Sequence, residues 1–172
     1  MFPVVNDVME YFLRNPTTTI HIRELARRTG VTPSGCLKAL GKLVKRGFVE
    51  EHKTTAVSNY RANPTTQFVR LKKVFNIYSI FDSGLVDYLK QEYEFPEAII
   101  VFGSYAKGED TEQSDIDIAI ITQHEKSLDF RKYESILQRK INILELPNLK
   151  DSKKEFINNL INGIVLEGVL KL

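Results

Sequence analysis

Tryptophan is absent from the 172 residues, cysteine occurs once, methionine twice and histidine three times. The lone Cys36 excludes an intramolecular disulfide, and the start from Met1 to Asp7 has no basic stretch followed by an apolar one, so a reducing, cytoplasmic setting is expected. His21, His52 and His124 are too scattered for metal-ligand spacing. Long hydrophobic runs are also missing. The apolar stretch Ala98-Ile99-Ile100-Val101-Phe102 falls far short of the roughly 18 to 20 residues that a membrane span requires. What is present is 42 % apolar and 27 % charged residues, a globular composition that excludes a wholly disordered chain.

A net charge of +2 hides an uneven distribution. Before Ile80 there are 13 basic and 5 acidic residues, and from there on 11 basic and 17 acidic. The halves carry +8 and −6, which points to two modules with different partners: a polyanion for the first, and a metal ion or a basic surface for the second.

The pattern of the first half predicts a helix from Val4 to Leu13, ending around Asn15-Pro16, and a short helix from Ile22 to Arg28, closed by Thr29-Gly30. A third helix is capped by Thr32, starts with Pro33 and runs to about Arg46. Two short strands, Phe48 to His52 and Ser58 to Ala62, read as a hairpin. This order resembles the winged helix-turn-helix fold over residues 1–64. The resemblance implies that the third helix enters the major groove of double-stranded DNA while the hairpin touches the flanking backbone. With Leu37, Leu40, Leu43 and Val44 facing the core, Ser34, Lys38, Lys42 and Lys45 project from the other side, and Lys53 and Arg61 stand on the wing. Arg27 and Arg28 add charge from the second helix. The lysines neutralise phosphates, which gives salt-dependent affinity rather than base specificity. Cys36, on the apolar side, reads as a buried small hydrophobe.

Asn63-Pro64-Thr65 caps one long helix in which Phe68, Leu71, Phe75, Tyr78, Phe81 and Leu85 recur every three or four residues. It is expected to end near Glu92, to link the halves over residues 65–92 and to offer a surface for a homodimer through Phe68 to Leu85. Residues 93–172 then alternate between strand and helix: strand Ala98 to Phe102, a short helix from Gly103, strand Asp115 to Ile121, a helix around Lys126 to Gln138, strand Ile141 to Leu146, and a last helix from about Ser152 to Leu170. The fold class is mixed α/β.

The most informative stretch is Gly103-Ser104-Tyr105-Ala106-Lys107-Gly108, followed by Ser114-Asp115-Ile116-Asp117. A strand delivers Gly103-Ser104 to a helix start, where glycine lets a phosphate approach the backbone and free amide groups favour an anion. Asp115 and Asp117, two apart on a strand, point to one face while Ile116 and Ile118 point to the core. Two carboxylates so placed repel each other unless a cation lies between them, and hard oxygen donors suit Mg²⁺. Lys107 either contacts a phosphate or faces solvent, and Ser114 either orients Asp115 or begins the strand.

This pattern resembles the DNA polymerase β-type nucleotidyltransferases, in the short form of the minimal nucleotidyltransferases, over about Phe95 to Leu172. The resemblance implies a nucleoside triphosphate such as ATP at Gly103-Ser104, a two-metal Mg²⁺ site on Asp115 and Asp117, and transfer of a nucleoside monophosphate with loss of pyrophosphate. It also implies an antitoxin-like setting with a helical toxin as protein partner. One departure stands out. The family's third carboxylate, on a later strand, falls here on the neutral Asn142, while the nearest acid, Glu145, lies an odd number of positions away on the opposite face. The expected function is therefore a DNA-binding Mg²⁺-dependent transferase. Its alternative is a transcriptional regulator whose degenerate site binds nucleotide without efficient turnover.

Overall fold

The computed structural model describes residues 6–53, 58–149 and 154–170. The chain divides into two compact units, Met1–Phe75 and Asn76–Leu172.

The first unit runs α1 (Asp7–Arg14), β1 (Ile20–His21), α2 (Ile22–Thr29), α3 (Pro33–Lys45), β2 (Val49–Lys53), β3 (Ser58–Ala62) and the start of α4 (Thr66–Asp82). Local chemistry sets the ends. The Asn6 side chain accepts from the Met9 amide at 2.9 Å, and Thr32 Oγ1 accepts from the Gly35 amide at 3.2 Å. Gly30 closes α2 with φ +71°, a left-handed conformation that costs a residue without Cβ little. The strands form an antiparallel sheet in the order β1-β3-β2. The tip of the wing, 54–57, lies outside the described residues. Val8, Phe12, Leu13, Leu25, Cys36 and Leu40 form the core.

Two expectations change here. Leu37 is not a core residue but 56 % exposed, because the buried stripe of α3 runs Cys36, Leu40, Leu43 and Leu37 sits about 100° around the helix from it. The two-residue β1 was not foreseen; it is too short to leave a periodic signal.

The second unit continues with α5 (Leu85–Glu92), β4 (Ala98–Phe102), α6 (Gly103–Lys107), β5 (Ile116–Ile121), α7 (Arg131–Leu137), β6 (Ile141–Leu146), α8 (Lys154–Ile161) and β7 (Ile164–Gly168). Its sheet has the order β6-β5-β4-β7, with β5 and β6 parallel and the other pairs antiparallel. Alternate residues of the two central strands feed opposite faces. Ile99, Val101, Ile116, Ile118 and Ile120 pack with Leu85, Leu89 and Leu137, whereas Ala98, Ile100, Ala119 and Ile121 pack with Leu160. Removing one such isoleucine side chain costs about 2–5 kcal/mol.

The expected single helix from Asn63 to Glu92 is two helices. Gly84 adopts φ +77°, and Ser83 donates to the Ile80 carbonyl and accepts from the Leu85 amide, so the hydrogen-bond ladder restarts there. Of the positions expected to form a dimer contact, Phe68, Phe75, Ile80 and Leu85 are buried within the chain. The helix expected around Lys126 starts only at Arg131, because the Lys126 amide is tied to Glu145 and the Asp129 carboxylate caps the Arg131 amide. The expected final helix gives way to α8 and the edge strand β7. Gly163 makes that turn: a Cβ there would lie 2.7 Å from the Val101 carbonyl, and the following β-branched Ile164 and Val165 extend against β4.

Among the described residues no helix is long and apolar enough to cross a membrane.

Candidate functional site

The charged site grows out of the junction between β4 and β5. β4 is completely buried up to Val101 and then opens at Phe102, which pairs with Asp117 across the antiparallel ladder. The chain turns at Gly103, φ +71°, where a Cβ would lie 2.7 Å from Asp117 Oδ2. Both backbone conformation and space therefore demand glycine, and the carboxylate lies directly against the turn.

On the other side of Asp117 stands β6, in register so that Asp117 faces Asn142. The Asn142 Nδ2 group donates to Asp115 Oδ2 at 3.1 Å and to Asp117 Oδ1 at 3.2 Å. One amide thus bridges both acids and relieves their mutual repulsion. Asp117 spans the arrangement, with one oxygen toward the glycine turn and the other toward the shared amide.

The donor set fits a divalent cation. Two carboxylate oxygens that one nitrogen reaches at once are hard ligands converging on a small volume, as Mg²⁺ requires. The third position supplies an amide and no charge, and among the described residues no group of three or more His, Cys, Asp or Glu gathers around a point. Glu145 offers no replacement. It is opposite Ile120, and its Oε1 accepts from Tyr93 Oη–H at 2.5 Å and from the Lys126 amide at 2.8 Å.

Comparison with known proteins gives this geometry a family. Residues 84–168 match the model described as "Polymerase beta, Nucleotidyltransferase", and residues 7–50 match "Winged helix-turn-helix DNA-binding". A curated protein of Methanocaldococcus jannaschii, named "Putative protein adenylyltransferase MJ1379", is 33 % identical over 82 residues, which cover 48 % of this chain and 81 % of that protein. The chain belongs to the polymerase β-type nucleotidyltransferases. It carries a winged helix-turn-helix region in front of the transferase domain.

Within the transferase unit the remaining expected residues are less tightly gathered. Ser104 is half-buried at the start of α6, and its carbonyl accepts from the Glu109 amide at 3.0 Å. Lys107 is exposed near the end of that helix. Ser114 Oγ accepts from the Thr111 amide at 2.9 Å, so this hydroxyl fastens the turn that delivers Asp115.

Residues that the sequence did not single out hold that turn from beneath. Asp110 is 2 % exposed, accepts from Asn76 Nδ2 at 2.7 Å and lies 3.6 Å from the guanidinium of Arg139, itself buried. The same Asn76 nitrogen donates to the Tyr105 carbonyl at 2.9 Å, which ties α6 to the loop. An acid and an arginine 29 positions apart leave no periodic mark in a sequence. Beside Asp115 opens a polar cleft of about 540 Å³, with Gln113, Arg131, Gln138 and Lys140 among its lining.

In the winged-helix unit, Ser34, Lys38, Lys42 and Lys45 on α3 are all exposed, as are Lys53 and Arg61 on the hairpin. Lys53 lies 3.5 Å from Glu51. Arg27 and Arg28 are each 2.7 Å from the Glu24 carboxylate, whose pKa their hydrogen bonds lower to about 2. Much of their positive charge is therefore already matched on α2 itself.

Proposed function

We propose that the chain transfers a nucleoside monophosphate from a Mg²⁺-bound nucleoside triphosphate to an acceptor hydroxyl, with ATP as the expected donor, and that its winged helix binds double-stranded DNA. The observation that carries the first part is the convergence of Asp115 and Asp117 beside the Gly103 turn. Asp115 and Asp117 hold the metal, which when bound neutralises charge on the triphosphate and polarises the phosphorus under attack. The turn at Gly103-Ser104 receives the phosphates with its backbone. The acceptor oxygen bonds to the α-phosphorus, the bond to the β-phosphate bridging oxygen breaks, and pyrophosphate leaves. The acceptor's proton passes to solvent, because Asn142 cannot take it.

The relative's name suggests a protein side chain as acceptor, and the cleft beside Asp115 has room for one. The helical toxin-like partner expected from the family resemblance is the first acceptor to try. A homodimer through α4 has the exposed Val74 and Phe81 to offer, and sedimentation of the full chain tests it.

A second reading is favoured by Asn142. With an amide where the family places a third carboxylate, the unit binds Mg²⁺ and nucleotide without efficient turnover and reports that binding to the DNA-reading half as a transcriptional regulator. One experiment separates the two. The full chain is incubated with α-labelled triphosphates, Mg²⁺ and a candidate acceptor protein. Label transfer and pyrophosphate release, both lost in Asp115→Asn and in Asp117→Asn, support the transferase. Saturable nucleotide binding without release, converted to transfer by Asn142→Asp, supports the regulator. Nucleotide binding and transfer that are indifferent to both aspartates would overturn both readings.

A further inference from the structure

The winged-helix unit contains a cavity of its own, about 410 Å³ in volume. Met9, Leu43, Phe48 and Leu71 form an apolar floor, and Lys42 and Arg46, one turn apart on and just after α3, stand at its rim. Met9 and Leu43 are buried members of the unit's core, and Phe48 and Leu71 pack against it. Lys42 and Arg46 are exposed, and no carboxylate among the described residues pairs with either. The volume lies within the roughly 300–1,000 Å³ of small-molecule sites, which characteristically combine an apolar lining with a few orienting polar groups.

The chemistry of the lining selects its occupant. A neutral hydrocarbon would leave two cations without a partner, and a small hydrophilic anion would leave the apolar floor against water. An organic cation would be repelled. An anion with an aliphatic body answers both halves of the cavity. We infer that this cavity binds a medium-chain aliphatic carboxylate, with its head group on Lys42 and Arg46 and its chain on Met9, Leu43, Phe48 and Leu71.

A consequence follows for the proposed DNA-binding face, because Lys42 belongs to both. A carboxylate that neutralises Lys42 removes one phosphate contact, and by reciprocity DNA that engages Lys42 weakens the carboxylate. The ligand site itself does not depend on the DNA reading.

The test is calorimetric titration of the full chain with sodium decanoate below its micelle concentration, alongside decylammonium chloride. Saturable one-to-one binding of decanoate is expected, at least tenfold tighter than that of the amine. Lys42→Gln/Arg46→Gln, a change of two exposed side chains that leaves the fold intact, is expected to weaken decanoate at least tenfold. Ala39→Leu adds bulk to the cavity wall without altering charge and is expected to weaken decanoate while leaving DNA affinity unchanged. Absence of saturable binding, equal binding of amine and carboxylate, or an unaffected double variant would each overturn the site. Saturating decanoate is then expected to lower DNA affinity roughly tenfold at about 0.1 M salt, the worth of one phosphate contact. An unmoved DNA affinity overturns the coupling alone, and failure to bind any DNA overturns the DNA reading and not the ligand site.

Discussion

The two units place function in opposite ways. In the winged helix the candidate DNA contacts, all but Ser34 long basic side chains, are exposed on α3 and on the hairpin. In the transferase the candidate contacts are short acids set by strand register, pressed against a glycine turn and bridged by one amide at 3.1 and 3.2 Å. A cation on a flexible stem finds a phosphate from many geometries, whereas carboxylates that share one small ion do not. The first kind of site is expected to lose function gradually as residues change, and the second abruptly.

The sharpest way to break this contrast is beneath the acidic site. Asp110→Ala removes the carboxylate that lies 3.6 Å from the buried guanidinium of Arg139, together with one of the two acceptors of the Asn76 amide. We expect a loss of about 3–5 kcal/mol in urea unfolding, the usual cost of uncovering a buried charge, with transfer lost in parallel. Asn142→Asp acts next. A base in reach of the acceptor is expected to raise the transfer rate about 10²-fold, the lower end of general-base contributions, while thermal stability without Mg²⁺ falls because three carboxylates then share one corner. Gly103→Ala comes third. A methyl 2.7 Å from the Asp117 carboxylate, on backbone at φ +71°, is expected to cost about 1–3 kcal/mol and to weaken nucleotide binding.

The winged-helix side answers more softly. Lys38→Ala is expected to reduce the salt slope of DNA binding by about 1 and to weaken all sequences nearly equally, measured by titration over a range of salt concentrations. The smallest effect concerns pH. The Tyr93 phenol is held well above its ordinary value of 10.0, first by burial and then by its hydrogen bond to Glu145. Above about pH 10 the folded chain keeps a proton that the unfolded chain has lost, so stability falls as pH rises. Tyr93→Phe is expected to make that fall shallower, and the part that remains is shared by Tyr60, Tyr88 and Tyr133, whose phenols burial raises, and by Tyr78, raised by its hydrogen bond to Asp82.

How much of this was legible in the sequence follows the same division. Period-2 alternation is a strong signal in a buried strand, so the common face of Asp115 and Asp117 could be read from spacing, whereas Asn142 was placed beside them by the family resemblance and not by spacing. Capping residues and glycines gave the end of α2, the start of α3 and the end of β4 at Gly103. What stayed hidden was set by contacts distant in sequence. The edge strand β7 reads locally as a continuation of the helix because Phe156, Leu160 and Ile164 recur every four residues, and only the approach of Gly163 to the Val101 carbonyl makes it turn. Leu37 looked internal because its neighbours are, and only the exact phase of the buried stripe puts it outside. Asp110 and Arg139 were silent because an ion pair between a loop and the end of α7 has no periodicity at all.

The most direct measurement is a crystal structure of the full chain with Mg²⁺ and a non-hydrolysable nucleoside triphosphate. The expected result is a metal ion shared by Asp115 and Asp117, phosphates over Gly103-Ser104, and the Asn142 amide turned away from its two hydrogen bonds to the acids. A nucleotide bound elsewhere, with Asn142 still bridging both carboxylates, would contradict it.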